Sequence, residues 1–254
     1  MSATERRGQI LQRLQIDGYV EAKVLAREMS VDASTIRRDL DALARSGRAE
    51  RTHGGARPAA DGSSEIPYAV KKIARQPEKA AIAAAAAEYV SDGQTVILDS
   101  GSTTYQVALA LRHRSDLTFI TNDLRIAKYV ATLPGTRLLV TGGELLGSVF
   151  TLVGDAAVGF LANYSADWAF LGADAVDPDT GITNTNTLEV PLKRAMISSA
   201  RHTVVVADSS KFGNRALSKV ASVDEVGTIL SDDGLPSDQA RRYGEHLVRA
   251  PVSA

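Results

Sequence analysis

Residues 33–55 read ASTIRRDLDALARSGRAERTHGG. Ile36, Leu40 and Leu43 recur at i, i+4 and i+7, which predicts an amphipathic helix with one buried stripe. Asp32 stands where an N-cap is needed, and Ser46-Gly47 supplies the stop. With that stripe inside, Ser34, Thr35, Arg37 and Arg38 fall on or beside the outward face of the first two turns. Downstream, RAERTHGGA (48–56) predicts two short strands around a tight turn, closed by Gly54-Gly55. Upstream, Ile10, Leu11 and Leu14 give a first helix its apolar face, and Asp17-Gly18 ends it. Val20, Val24, Leu25 and Met29 predict a second helix, followed by a turn at Ser30-Val31-Asp32. The order is helix, helix, tight turn, helix, hairpin.

That order suits the reading of duplex DNA. A recognition helix sets its N-terminal residues against base edges in the major groove. The planar fork of arginine matches the O6 and N7 acceptors of guanine, and Ser and Thr hydroxyls suit phosphates near a helix N-terminus. Ser34, Thr35, Arg37 and Arg38 are therefore the candidate DNA-binding residues of the helix. Arg51 and His53 join them from the hairpin, as a wing on the sugar-phosphate backbone or minor groove. Two adjacent arginines alone are ordinarily solvated charge on a small bundle. The succession of elements is what points to DNA.

Charge is distributed accordingly. The 254 residues carry a net charge of −1, but residues 1–57 hold eleven Arg and Lys against eight Asp and Glu. The basic side of the chain is its N-terminal segment. The absence of cysteine excludes disulfides, thiolate metal sites and cysteine nucleophiles, and fits a cytoplasmic location. No apolar run follows the basic N-terminus and none approaches ~18 residues, so neither a signal peptide nor a membrane span is expected. His53, His113, His202 and His246 lack ligand spacing; no metal and no cofactor is expected.

Residues 56–77, ARPAADGSSEIPYAVKKIARQP, hold three prolines and few apolar residues. We place a DNA-binding domain at 1–57, a linker at 58–76 and a second domain at 77–254, with a short helix near Tyr68–Arg75. From Pro77 on, helix and strand alternate. A helix to about Val90 is followed by strand TVIL (95–98), helix 103–112, strand LTFIT (117–121) and helix 124–133. Strand RLLVT (137–141), helix 155–163, strand DWAFLGA (167–173), helix 187–200 and strand TVVVA (203–207) complete the series. The last twenty residues read as a terminal helix and a tail. Such alternation predicts an α/β domain with an open, mostly parallel sheet and helices on both faces.

In such a sheet, ligands bind beyond the carboxyl ends of the strands. LDSGSTTYQVA (98–108) is a strand, a small-residue loop and a helix start. Gly101 permits close backbone approach, while Ser102, Thr103, Thr104 and the helix N-terminus supply donors to a phosphate. The loop is neither a P-loop nor a dinucleotide fingerprint. Further polar loops follow at Asn122, at Gly142-Gly143, at Asp174 and at Asp208-Ser209-Ser210-Lys211. Asp99, Asn122, Asp174 and Asp208 suit sugar hydroxyls, and Lys193 and Lys211 suit a phosphate charge. Each residue singly also serves as a cap, a turn or a solvated charge. Together they mark an effector crevice.

The segment RRGQILQRLQIDGYV (6–20) with LAREMSVDASTIRRDLDALARSGRAERTHGGA (25–56) resembles the DeoR family of bacterial repressors. The matching positions are Arg7, Ile10, Thr35 to Leu40, Leu43, Gly47, Arg51 and His53 to Gly55. Asp32 stands where serine is usual, and Ala49 where a larger aliphatic is usual. DSGSTT (99–104), TND (121–123), TGGELL (141–146), DWAFLGAD (167–174), GITNTNTLEVPLKRAMI (181–197) and VVVADSSKFG (204–213) extend the resemblance. It implies a winged helix-turn-helix followed by an effector domain similar to the ribose-5-phosphate isomerase and CoA-transferase fold. It further implies a repressor of carbohydrate uptake or catabolism genes, working as a homo-oligomer on double-stranded operator DNA, released by a phosphorylated sugar or related catabolite.

Two alternatives stay open at this point. A ligand-dependent activator fits the same residues. An isomerase-like enzyme would use Glu189 and Lys193, at i, i+4, as base and charge stabiliser. However, Gly172-Ala173-Asp174 lacks the flanking acids of the isomerase segment, and no catalytic residue is expected.

Overall fold

Ile36, Leu40 and Leu43 are fully buried, as their spacing demands. They belong to α3 (Ala33–Arg45), which packs on α1 (Ala3–Asp17) and α2 (Ala22–Glu28). Ile10, Leu11, Leu14 and Leu25 complete this core. In the computed structural model, residues 2–17, 19–52, 54–58, 71–72, 74–146 and 149–252 are described. The chain divides into two compact units, Met1–Ala74 and Arg75–Ala254. Most of the expected linker, including Tyr68, lies outside the described residues.

The hairpin after α3 is β2 (Ala49–Thr52) against β3 (Gly55–Pro58). Its far side carries a strand that the sequence reading assigned to the second helix. β1 (Val20–Glu21) pairs antiparallel with β3, Val20 opposite Ala56. Val20 thus joins the core from the sheet, with Ala49 and Ala56, and α2 starts two residues later. A two-residue strand has no periodicity to reveal it. Gly55 is required here, since a Cβ would stand 2.0 Å from the Val20 carbonyl oxygen.

In the second unit, α4 (Gln76–Glu88) has Pro77 in its first turn, where proline's missing N–H costs nothing. Seven parallel strands follow: β4 (Thr95–Leu98), β5 (Thr118–Thr121), β6 (Arg137–Val140), β9 (Ala166–Leu171), β12 (Ala200–Val206), β14 (Thr228–Asp232) and β15 (Leu247–Ala250). Their order is β15-β14-β12-β9-β4-β5-β6. The helices are α5 (Ser102–Ala110), α6 (Leu124–Val130), α7 (Asp155–Leu161), α8 (Val190–Ser198), α9 (Val223–Val226) and α10 (Ser237–Ala240). Successive strand residues point to opposite faces. Val96, Leu98, Phe119 and Val204 join the core under α4, α5 and α6. Ile97, Ile120, Leu171 and Val205 join the core under α7 and α8. The result is three layers with helices on both faces of a parallel sheet.

Several elements depart from the sequence reading. The chain's last segment is helical over α10 and a 3-10 stretch at Arg241–His246, but in place of the expected tail it forms β15, an edge strand beside β14. Besides the β14 edge, Tyr243 holds the segment, donating to the Val176 carbonyl and packing edge-on against Phe212. β7 (Glu144–Leu146) and β8 (Thr151–Val153) form a hairpin beyond β6. Gly143 feeds that hairpin at φ +107, where a Cβ would lie 2.3 Å from the Val153 carbonyl oxygen. A second sheet joins β10 (Ala175–Asp177), β11 (Gly181–Asn184) and β13 (Ser218–Ala221), all antiparallel. Expected helix 187–200 is a 3-10 turn at Thr187–Glu189 continuing into α8.

Candidate functional site

In the first unit, Asp32 caps α3, its carboxylate accepting the Ser34 N–H at 2.8 Å. That bond holds the carboxyl below the usual aspartate range. Ser34, Arg37 and Arg38 are exposed on the outer face of α3, and Thr35 is half-buried. Arg51 does not stand alone in the wing. Its guanidinium donates to Asp41 of α3 at 2.8 Å and to the Gly55 carbonyl, so it braces the hairpin against the helix. His53 lies outside the described residues. Asp39, within the family-like run TIRRDL, is buried and pairs with both Arg6, at 2.5 Å, and Arg7, at 2.8 Å. The pair locks α1 to α3 beneath the exposed arginines.

In the second unit, the topology fixes where a ligand fits. From β4 the chain winds outward through β5 and β6, then returns to β9 on the other side of β4. The carboxyl ends of β4 and β9 therefore flank the switch point of the sheet, the place where open parallel sheets take their ligands. Asp99, Gly101, Ser102, Thr103 and Thr104 follow β4, and Asp174 follows β9. The first N–H groups of α5 have no intrahelical acceptor. Asn122 follows β5; it is buried, its Nδ2 donates to the Leu152 carbonyl, and its Oδ1 accepts no hydrogen bond among the described residues.

Lys193 reaches the same place from α8. It is 2% exposed, donates to Asp99 and to the Gly172 carbonyl oxygen at 3.0 Å, and sits near Glu189 and Asp174. Burial pulls its ammonium down, but the attraction of Asp99 and Glu189 outweighs it and leaves the pKa raised. Asp99 also accepts the Gly172 N–H at 3.0 Å, tying the β4 and β9 loops together. Glu189 accepts from Asn184 at 2.7 Å, and Asp174 accepts the Thr185 N–H at 2.9 Å. Carboxylates and an amide thus line one wall, suited to hydroxyl groups. Beyond Asp99, Gly101 and the first turn of α5 offer donors suited to an anion.

The outer expected residues stand further off. Gly142 and Gly143 follow β6, and Asp208 and Lys211 follow β12, each two strands from β4, or about 10 Å. Asp208 caps the Ser209–Lys211 turn and pairs with Arg75 at 3.1 Å. The ammonium of Lys211 makes no hydrogen bond or ion pair among the described residues. The sequence reading placed Asp123 in a polar loop but counted neither it nor Arg125 among the candidate site residues. Asp123 is fully buried, caps α6, and accepts from Ser100 Oγ at 3.2 Å and from the Gly101 N–H at 3.4 Å. Arg125 pairs with it and lies 5.6 Å from the centre of the Phe150 ring. Caps are legible in sequence, but contacts between two separate loops are not.

Among the described residues no group of three His, Cys, Asp or Glu side chains could hold a metal ion. No helix among them is long and apolar enough to cross a membrane.

Two family models match the chain. The DeoR-like helix-turn-helix domain spans residues 6–60, and the DeoR C terminal sensor domain spans residues 74–233. A putative aga operon transcriptional repressor of Escherichia coli O157:H7 is 37% identical over 237 residues, 92% of this chain and 88% of that protein. The glycerol-3-phosphate regulon repressor of Escherichia coli K12 is 32% identical over 249 residues, 98% of each. Among solved structures, ribose 5-phosphate isomerase A of Methanocaldococcus jannaschii is 21% identical over 53% of each chain, with a TM-score of 0.40.

Proposed function

The chain belongs to the DeoR family of DNA-binding transcriptional regulators, and from that membership we propose a cytoplasmic repressor of carbohydrate uptake or catabolism genes, released from its operator by a phosphorylated sugar or related catabolite. The observation that carries the sensor half is the switch point between β4 and β9. There a loop of Gly, Ser and Thr opening a helix faces a wall of Asp99, Asp174, Glu189 and Lys193. The loop suits the phosphate, and the wall suits the sugar hydroxyls. The DNA half is carried by the exposed Ser34, Arg37 and Arg38 at the start of α3.

Release follows as a population shift. The effector binds the conformation that does not fit the operator more tightly, since equal affinity for both moves nothing. A homo-oligomer is part of this reading, because two-fold operators pair with two-fold proteins. The carboxylates beside Lys193 hold the effector without turning it over. Asp99 holds the Lys193 ammonium and the Gly172 N–H through one carboxylate oxygen, which fixes its place between the β4 and β9 loops.

A thermal-shift screen tests the sensor. A specific ligand raises the melting temperature by mass action. One phosphorylated sugar should stabilise the protein while its unphosphorylated parent does not. Equal stabilisation by both members of every pair would remove the phosphate from the reading.

A further inference from the structure

We propose that Arg125 is an effector-contacting residue that reads the phosphate group at the β4–α5 loop, with Asp123 as the residue that positions it. This deepens the sensor reading given above and rests on it. β5 neighbours β4, so the first turn of α6 stands beside the loop opening α5. The link between them is direct: the Asp123 carboxylate accepts from Ser100 Oγ and from the Gly101 N–H. Arg125 donates to both oxygens of Asp123, through Nε at 2.9 Å and through Nη2, and the same Nη2 lies 3.5 Å from Ser100 Oγ at the loop. Phe150 covers one face of the group, and the side chain is only 15% exposed. A cation is thus held, largely out of water, next to the backbone donors of the loop.

Charge balance leads to the same place. A fully buried carboxylate within hydrogen-bond reach of Ser100 and Gly101 opposes any anion approaching those donors. The wall beyond it already spends Lys193 on Asp99. Arg125 is what makes the loop hospitable to a phosphate: Asp123 holds its Nε–Nη2 edge in place, and Nη2, already within reach of Ser100, is the donor set toward a phosphate oxygen. A lysine would keep the charge and lose the fork.

Titration calorimetry on the full chain at constant ionic strength tests this, with four probes: inorganic phosphate, glycerol 3-phosphate, ribose 5-phosphate and glucose 6-phosphate. The variants are Arg125→Lys, the double variant Asp123→Asn/Arg125→Gln, and Lys128→Gln as an exposed control on the same helix. The double variant removes both charges together, so no buried carboxylate is left alone, and asparagine still caps α6. The probe that binds the wild type should bind the double variant more than about tenfold more weakly, and Arg125→Lys at an intermediate strength. Lys128→Gln should match the wild type. A double variant that binds as the wild type does would show that Arg125 merely neutralises Asp123, and the inference would fall alone. A wild type indifferent to all four probes would overturn the phosphorylated-effector reading and the inference with it.

Discussion

Arg38 and Asp39 are neighbours in sequence with opposite duties. Arg38 is exposed on the outer face of α3, while Asp39 is 2% exposed and anchors two arginines of α1. Arg38→Ala should weaken operator binding by about 1–3 kcal/mol and blunt base preference, with the fold intact. Fluorescence anisotropy on matched and mutated operator duplexes reads both effects; unchanged affinity would remove Arg38 from base recognition. Asp39→Ala should instead lower the stability of the first unit by about 3 kcal/mol, because it leaves Arg6 buried without its partner. Urea unfolding measures this, and a loss under about 0.5 kcal/mol would mean the pair is solvated. The outward set on α3 was legible because Ile36, Leu40 and Leu43 fix the inside of the helix. Asp39 was not, since a polar residue between apolar positions reads as surface until Arg6 and Arg7, over thirty residues away, are brought to it.

Elements were legible where one face repeats and illegible where neighbours alone hold them. α3 announces both ends through Asp32 and Ser46-Gly47, and β4, β5 and the second half of β12 are compact apolar runs. β1, β14, β15 and the β10-β11-β13 sheet carry no such signature. Their strands are short, and buried polar residues such as Asp177, Thr183 and Asn184 interrupt the apolar pattern. The cap of α3 makes a pH-dependent prediction. The Ser34 N–H lowers the Asp32 pKa from 3.8, so its contribution is present above that value and is lost as pH falls through the lower folded one. Asp32→Asn caps without titrating. Thermal unfolding at pH 7, 5 and 3 should show the wild type losing more stability toward pH 3 than the variant does. Parallel losses would mean that the cap contributes nothing through its charge.

At the scale of the molecule, a unit built to read DNA is joined to one whose sheet has a single switch point. Asp99 and Lys193 tie its two sides together across the β4 and β9 loops. Lys193→Met should cost about 3–5 kcal/mol at neutral pH by stranding buried Asp99. The folded pKa of Lys193 is raised above 10.5, so the wild type's advantage is complete below that value and fades as pH rises through the folded one. Chemical unfolding of both proteins from neutral to alkaline pH checks the loss and its direction; an advantage that grows with pH would contradict it. The central claim joins the two units: occupancy of the crevice changes grip on the operator. The measurement that tests it most directly is the affinity for a labelled operator duplex, with and without a saturating phosphorylated sugar that stabilises the protein. Coupling of the usual size predicts an affinity about 5- to 150-fold weaker with the phosphorylated sugar, and no change with its unphosphorylated parent. The same affinity in all three conditions would contradict the account.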